Sequence, residues 1–156
     1  MYVRRKERFM KKTAIVYAST HHGNTKKLLD AIAAKYDVAL IDVSEFDKKP
    51  LGGYQLIGFA SGVYYGAMDK KVLAFAENNL PKHKKVFLIE TFGARPSDKK
   101  ITAIVRSKEC EIVGRYGCRG FDTYGPLKAI GGVSKGHPTA EEISGAVAFF
   151  GGLAES

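Results

Sequence analysis

A short polar segment follows the first apolar run of the chain and carries residue types that suit phosphate binding. It reads Ser19-Thr20-His21-His22-Gly23-Asn24-Thr25 and leads directly into a segment with helical periodicity. Unpaired backbone N–H groups at a helix N-terminus, together with Ser, Thr and Asn side-chain donors, favour a bound phosphate. Either histidine can add a further hydrogen bond or simply face solvent. Because the same residue types also cap helices, the segment alone leaves a purely structural capping role open.

Other chemistries are less well supported by the sequence. Neither a G-x-G-x-x-G dinucleotide loop nor a G-x-x-x-x-G-K-[ST] nucleotide loop occurs. The remaining histidines, His83 and His137, are placed far from the polar segment by the predicted topology, so we expect no metal site. Cys110 and Cys118 form no C-x-x-C pair and are expected to be reduced thiols. No catalytic acid, base or nucleophile is assigned.

Five short apolar runs must position the polar segment, and they alternate with segments of helical periodicity. The runs are residues 13–18, 38–43, 54–60, 85–91 and 110–116. This alternation predicts a parallel sheet of the α/β class. The first four runs are nearly continuous in apolar residues, as in strands covered on both faces, whereas Gly114 and Arg115 in the fifth indicate an edge strand.

Four helices are predicted between and after these strands. Their buried stripes contain Leu28, Leu29 and Ile32 in the first, Val72, Phe75 and Ala76 in the second, Ile101, Ile104 and Val105 in the third, and Ile143, Val147 and Phe150 in the last. Thr139 and Glu142 have the spacing of a capping box at the start of the last helix. Residues 117–138 are rich in glycine and show no period, which is typical of a functional or a disordered loop.

Residues 17–27 resemble the phosphate loop of flavodoxins, which typically reads S/T-x-T-G-N-T after a strand. Gly23-Asn24-Thr25 matches that pattern outright, while two histidines and one extra residue stand where the family more often has threonines. The resemblance extends over nearly the whole chain from Met10. It implies a flavodoxin-like three-layer sandwich with a five-stranded parallel sheet in the order 2-1-3-4-5. It also implies FMN bound outside the carboxyl ends of the strands.

In that family the flavin ring is held by the loops after the third and fourth strands. The corresponding residues are Ser61-Gly62-Val63-Tyr64-Tyr65-Gly66 and Thr91-Phe92-Gly93-Ala94. Residues Gly117 to Gly120, with Cys118, at the end of the fifth strand are further candidates at the rim. A tyrosine face can stack on the ring, and glycines let the backbone lie against its edge. The alternative is that Tyr64 and Tyr65 are ordinary loop residues.

The resemblance implies an FMN-binding electron-transfer protein that cycles through a flavin semiquinone. One phosphate loop without a pyrophosphate pattern favours FMN over FAD. An alternative is an FMN-dependent NAD(P)H reductase of quinones or related small acceptors, and a third is a binding domain that has lost the flavin. The glycine-rich segment favours an enzyme or a specialised docking surface, whereas the small size without a nicotinamide motif favours a carrier.

Length and charge limit the remaining possibilities. The 156 residues suit one domain, expected over residues 10–156, with residues 1–9 as an appended or disordered basic segment. The formal charge is +9, or +6 without residues 1–9, which favours an acidic redox partner. Dispersed basic residues without a recognised motif argue against nucleic acid, and no apolar run spans a membrane. We expect a cytoplasmic protein, as a monomer or a homodimer.

Overall fold

The structure, a computed structural model, describes residues 10–19, 22–121 and 129–155. Strands and helices alternate along the chain. In order they are β1 (Thr13–Tyr17), α1 (Asn24–Lys35), β2 (Ala39–Asp42), β3 (Leu56–Tyr64), β4 (Ala67–Met68), α2 (Lys70–Asn79), β5 (Lys85–Phe92), α3 (Lys99–Ser107), β6 (Glu111–Arg119) and α4 (Ala140–Ala154). The predicted disorder of residues 1–9 lies outside the described residues.

Five of the strands form a parallel sheet in the order β2-β1-β3-β5-β6. The two-residue strand β4 pairs only with the end of β3, in the antiparallel sense. Without β4, the order along the sheet is the predicted 2-1-3-4-5, and β6 lies at the edge as expected. The predicted fold class is therefore confirmed, with one short hairpin strand added to it.

Helices cover both faces of the sheet, because each helix has one apolar stripe to bury. On one face, Leu28, Leu29 and Ile32 of α1 and Phe150 of α4 pack on the sheet. On the other face, α2 and α3 bury the stripes that include Val72 and Ile101. Two hydrophobic cores result, one on each side of the strands. In the part of the chain that the structure describes, no helix is long and apolar enough to cross a membrane.

Local signals fix where the helices begin. The Thr139 side chain accepts from the Glu142 amide and the Glu142 side chain accepts from the Thr139 amide, so the predicted capping box is confirmed. Asp69 caps α2 by accepting from the Lys71 amide at 2.8 Å. Asp98 stands at the N-cap of α3 but makes no side-chain capping bond. Before α1, Gly23 has a φ of 64°, a left-handed conformation that glycine adopts without strain.

Three strands extend further than the apolar runs predict. Residues 61–64 continue β3, Phe92 extends β5 by one residue, and residues 117–119 end β6, so these parts of the predicted loops are strand. Ser61 and Gly62 pair with Glu90 and Thr91, and pairing continues to Phe92 with Arg119. Polar and small residues keep the ladder here because their neighbours across the sheet supply the hydrogen bonds. The segment that follows β6 is correspondingly shorter than predicted.

Candidate functional site

The carboxyl ends of β3 and β5 meet the start of α1 and the segment after β6 at one small cleft. Its lining comprises Asn24, Gly62, Val63, Tyr64, Thr91, Phe92, Gly93, Gly120 and Phe121. The cleft has a volume of about 10 Å³, room for about one water molecule. It lies next to the point where the strand order reverses between β1 and β3, the usual place for a ligand in such sheets.

The N-terminus of α1 presents backbone donors on this side of the sheet. The first intrahelical bond runs from the Lys27 amide to the Gly23 carbonyl, at 3.1 Å, and the Lys26 amide donates to Ser19 Oγ at 3.0 Å. The amides of Asn24 and Thr25 come before that first bond. No acidic residue occupies the first turn, so the positive end of the helix dipole is not neutralised there.

Asn24 is buried at the bottom of the cleft and is only half satisfied. Its Nδ2 donates to the Phe121 carbonyl at 2.8 Å, whereas its Oδ1 is buried and has no hydrogen-bond partner among the described residues. A Cβ added to Gly120 would lie 2.6 Å from Asn24 Nδ2, so only glycine allows this close approach. A buried acceptor without a donor costs free energy, and a ligand hydroxyl or N–H would supply the missing bond.

Aromatic side chains form the walls of the cleft. The Tyr64 side chain folds back over the backbone of β3. Its Oη lies so close to Gly62 that a Cβ added to this glycine would be only 2.6 Å away. The ring of Phe121 lies 4.3 Å from the ring of His22, centroid to centroid, at a tilt of 36°. A planar aromatic ligand would have to displace Tyr64 or Phe121, since these side chains fill the space between the loops.

The Gly93 turn on one side of the cleft is held by residues from β6 and from the segment before α4. Arg119 Nη1 donates to the Gly93 carbonyl at 3.0 Å, and Ser134 Oγ donates to the same oxygen at 2.6 Å. The Glu142 carboxylate anchors this arrangement, since it accepts from the Arg119 amide at 3.2 Å and pairs with His137 Nδ1 at 2.6 Å. Partial burial alone would raise the pKa of Glu142, but hydrogen bonds from Thr139, His137 and Arg119 outweigh it and lower the pKa.

Several predicted site residues lie beneath the cleft and support it. Ser61 is fully buried; its Oγ donates to the Gly62 carbonyl at 2.6 Å and accepts from the Asp69 amide at 2.8 Å. Thr25 Oγ1 and Thr91 Oγ1 are 2.9 Å apart, which ties α1 to β5. Burial, with a smaller contribution from Glu142, raises the pKa of the Cys118 thiol to about 12, so this thiol is not a nucleophile at neutral pH.

The structure brings together seven of the predicted residues in the cleft lining: Asn24, Gly62, Val63, Tyr64, Thr91, Phe92 and Gly93. Tyr65, Gly66 and Ala94 are exposed and lie outside this lining. Ser19 caps α1, and His22 contacts Phe121 at the rim. Thr20 and His21 lie outside the described residues. No group of three metal-ligating side chains occurs among the described residues.

Phe121 lines the cleft without having been predicted as a site residue, whereas Gly120, which also lines it, was a candidate at the rim. The apolar run of the fifth strand ends at residue 116, which placed Phe121 deep in a long loop. In the structure β6 continues to Arg119, and the Gly120 amide donates to the Phe92 carbonyl at 2.9 Å. The signal that could have identified Phe121 is its place directly after a strand that ends beside the other site loops.

Comparisons with known proteins agree with this fold. The model of the flavodoxin domain matches residues 14–112. An uncharacterized protein of Methanocaldococcus jannaschii is 33% identical over 142 residues, which cover 88% of this chain and 95% of that protein. The fold is similar to that of the WrbA-like flavodoxin from Agrobacterium tumefaciens, with a TM-score of 0.69, 11% identity, and 92% and 95% of the two chains covered. Flavodoxin 2 from Bacillus cereus gives a TM-score of 0.66 at 18% identity, covering 92% and 98%.

Proposed function

Since the chain belongs to the flavodoxin family, we propose that it binds FMN in the cleft at the carboxyl ends of the strands and carries single electrons between redox partners. The observation that carries this proposal is the half-satisfied Asn24 at the N-terminus of α1. It places a buried acceptor, a helix dipole and backbone donors at the edge of an aromatic cleft. Few ligands other than a phosphorylated, hydroxylated aromatic molecule would use all of these groups.

The residues present fit the three parts of FMN. The amides of Asn24 and Thr25 suit the phosphate, because both precede the first hydrogen bond of α1. The orphaned Asn24 Oδ1 accepts hydrogen bonds and therefore suits the hydroxylated chain. Tyr64, Phe92 and Phe121 offer aromatic faces to the ring system.

Bound FMN supplies the redox chemistry of such a protein, because its ring system accepts and returns one or two electrons. The chain itself binds, orients and shields. The Gly62 backbone lies directly under Tyr64, and Arg119 and Ser134 hold the Gly93 carbonyl in place on the other side. The fixed position of these loops would set the hydrogen bonds and the solvent access of the ring.

The charge near the cleft supports a proposal about the redox partner. Lys70, Lys71 and Arg95 are exposed and follow the two loops that border the cleft. Like the net charge of +9, they favour association with an acidic protein surface. We therefore propose an acidic redox partner whose association weakens as salt is added, because exposed charges are screened over about 10 Å at 0.1 M salt.

A second candidate function is that of an FMN-dependent NAD(P)H reductase of quinones or related small acceptors. It is favoured by a second, larger cavity that shares Tyr64 with the cleft. A pure electron carrier has no need of a separate cavity for a small molecule.

Reduction under anaerobic conditions separates these two functions. The FMN-loaded protein is titrated with dithionite and, in a separate cell, mixed with excess NADPH, while the flavin absorbance is recorded. We expect two resolved one-electron steps with dithionite and no bleaching by NADPH over minutes. Rapid bleaching by NADPH with a single two-electron step would contradict the carrier and support the reductase. Free FMN under the same conditions is the control for non-enzymatic reduction.

A further inference from the structure

A second cavity of about 510 Å³ lies beside the candidate FMN cleft, and Tyr64 lines both. It is formed by the β3–β4 hairpin, the first turns of α2 and the start of α3. Its size falls within the range of about 300–1,000 Å³ that is typical of small-molecule sites. The cleft itself has only about 10 Å³. The second cavity is therefore the larger preformed space next to the site.

The walls of this cavity are mainly apolar. Tyr65, Ala67, Met68 and Leu73 line it together with Tyr64. Tyr65 is 78% exposed and has a φ of 49°, a conformation that is rare for a large aromatic residue. The two-residue turn of Tyr65 and Gly66, both with positive φ, holds the phenol ring at the mouth of the cavity. An exposed aromatic side chain held by an unfavourable backbone conformation is more typical of a binding site than of a simple turn.

Three exposed lysines, Lys70, Lys71 and Lys100, line the same cavity. Within the described ranges, none of these ammonium groups has an ion-pair partner. The one acidic residue of the lining, Asp69, already accepts from the Lys71 amide as the cap of α2. The cavity therefore combines an apolar wall with an excess of positive charge, three lysines against one aspartate.

The helices themselves do not account for these lysines. Lys70 and Lys71 lie in the first turn of α2 and Lys100 in the first turn of α3, and neither first turn contains an acidic residue. Cations are unfavourable at the positive end of a helix dipole, where Asp and Glu are preferred. The three charges thus cost helix stability, and local rules of this kind are commonly broken at functional sites.

We propose that this cavity binds an organic anion with an apolar, aromatic-sized body and at least one carboxylate, sulfonate or phosphate group. The apolar body packs against Tyr65, Met68 and Leu73, and the anion lies among the three lysines. Lysine ammonium groups bind such anions as point charges without requiring a planar, two-pronged geometry. Binding of the anion does not itself rest on the proposed function. Its consequence does, because the bound anion would contact Tyr64, which also lines the FMN cleft.

The probe that tests this proposal is 8-anilinonaphthalene-1-sulfonate, compared with the neutral N-phenyl-1-naphthylamine. Both are titrated calorimetrically into the protein with and without FMN. The test variant is Lys70→Gln/Lys71→Gln/Lys100→Gln. The matched control, Lys48→Gln/Lys82→Gln/Lys85→Gln, removes the same charge from three exposed lysines outside the cavity lining. Thermal melts check folding, and the test variant should be at least as stable as the original, because it removes unfavourable charges from the first turns of two helices.

We expect one saturable sulfonate site per chain in the original protein and in the control variant. The test variant should bind the sulfonate about tenfold more weakly, the scale expected from losing three exposed charge interactions. The neutral probe should bind the original protein and the test variant equally. The proposal is overturned if the sulfonate shows no saturable binding, binds the test variant unchanged, or is displaced by FMN, since it would then occupy the cleft. Lysine-dependent sulfonate binding in a protein that fails to bind FMN would refute the proposed function alone.

Discussion

At the scale of single residues, five of the buried polar side chains lie at or next to the carboxyl ends of the strands, namely Asn24, Thr25, Ser61, Glu90 and Thr91. Asn24 retains an unsatisfied acceptor, whereas Ser61, Thr25 and Thr91 have their hydroxyls bonded within the chain. Residue types alone could not separate these two groups, because Ser, Thr and Asn serve equally as ligands and as structural donors. Which of them face the cleft depends on the strand register for Ser61 and Thr91 and on the position in the first turn of α1 for Asn24 and Thr25.

Glu90 is the buried carboxyl group closest in sequence to the cleft, and its protonation should affect stability. It is 5% exposed and accepts from the Ser97 amide at 2.9 Å. Burial raises the pKa of Glu90, with a smaller raising effect from Asp98, while the Ser97 hydrogen bond and Arg115 oppose this. The folded state therefore holds this proton to a higher pH than the unfolded chain does.

The sign of the pH dependence follows from this difference. As the pH rises from the ordinary value of 4.5 through the folded-state pKa, the unfolded chain releases the proton first and stability declines. We expect Glu90→Gln to remove this decline and to raise the free energy of unfolding at pH 7, because the amide oxygen can still accept from Ser97. Urea unfolding between pH 4.5 and 8 measures the effect, with the exposed Glu77→Gln as the control. A Glu90→Gln variant with the pH profile of the original protein would contradict this account.

At the scale of elements, the apolar runs predict which strands and helices form but not where the strands end. Ser61, Gly62 and Gly117 are poor strand formers, yet each is held in the ladder by neighbouring strands. The β3–β4 hairpin was not predicted either, because β4 consists of only two residues. By contrast, the Thr139–Glu142 capping box is a purely local signal, and it was predicted correctly. Pairing with neighbouring strands, and not the local sequence, therefore determined the parts of the fold that form the site.

Arg119 links two elements and is predicted to position the Gly93 turn. Its side chain donates to the Gly93 carbonyl and contacts Ser134 Oγ at 3.3 Å. We expect Arg119→Ala to weaken FMN binding about fivefold, since losing one hydrogen bond costs about 1 kcal/mol. Arg119→Lys should restore part of the affinity, because a lysine can still donate to the carbonyl.

Fluorescence titration with FMN measures this effect. Arg106→Ala, at an exposed position in the last turn of α3, is the matched control. If Arg119→Ala binds FMN as tightly as the Arg106→Ala control does, then the Gly93 turn is set by Ser134 or by its own backbone, and Arg119 has no positioning role.

At the scale of the whole molecule, the order of the strands could be expected from the sequence, whereas the spatial distribution of the charges could not. The order β2-β1-β3-β5-β6 brings loops that are distant in sequence to one edge of the sheet. The alternation of apolar runs predicted a parallel sheet, because parallel strands need helical crossovers, whereas the order of the strands was implied by the resemblance to flavodoxins. The second cavity could not be predicted in this way, since it depends on how α2, α3 and a two-residue turn meet in space. The positive charge around it was visible in the sequence, but its placement at two helix starts was not interpretable without the structure.

The most direct test of the central claim is the affinity of the purified protein for FMN, measured by flavin fluorescence against riboflavin and against the Asn24→Ala variant. We predict one FMN per chain with quenched fluorescence, and riboflavin bound about 100-fold more weakly, because the phosphate contributes charge-assisted hydrogen bonds worth about 1.5–3 kcal/mol each. Asn24→Ala should weaken FMN binding about tenfold. Asn78→Ala, at an exposed position in α2, should not change it. Equal affinity for FMN and riboflavin would contradict a flavin phosphate at the N-terminus of α1, and an Asn24→Ala variant that binds FMN like the original protein would contradict the contact between Asn24 Oδ1 and the hydroxylated chain of FMN.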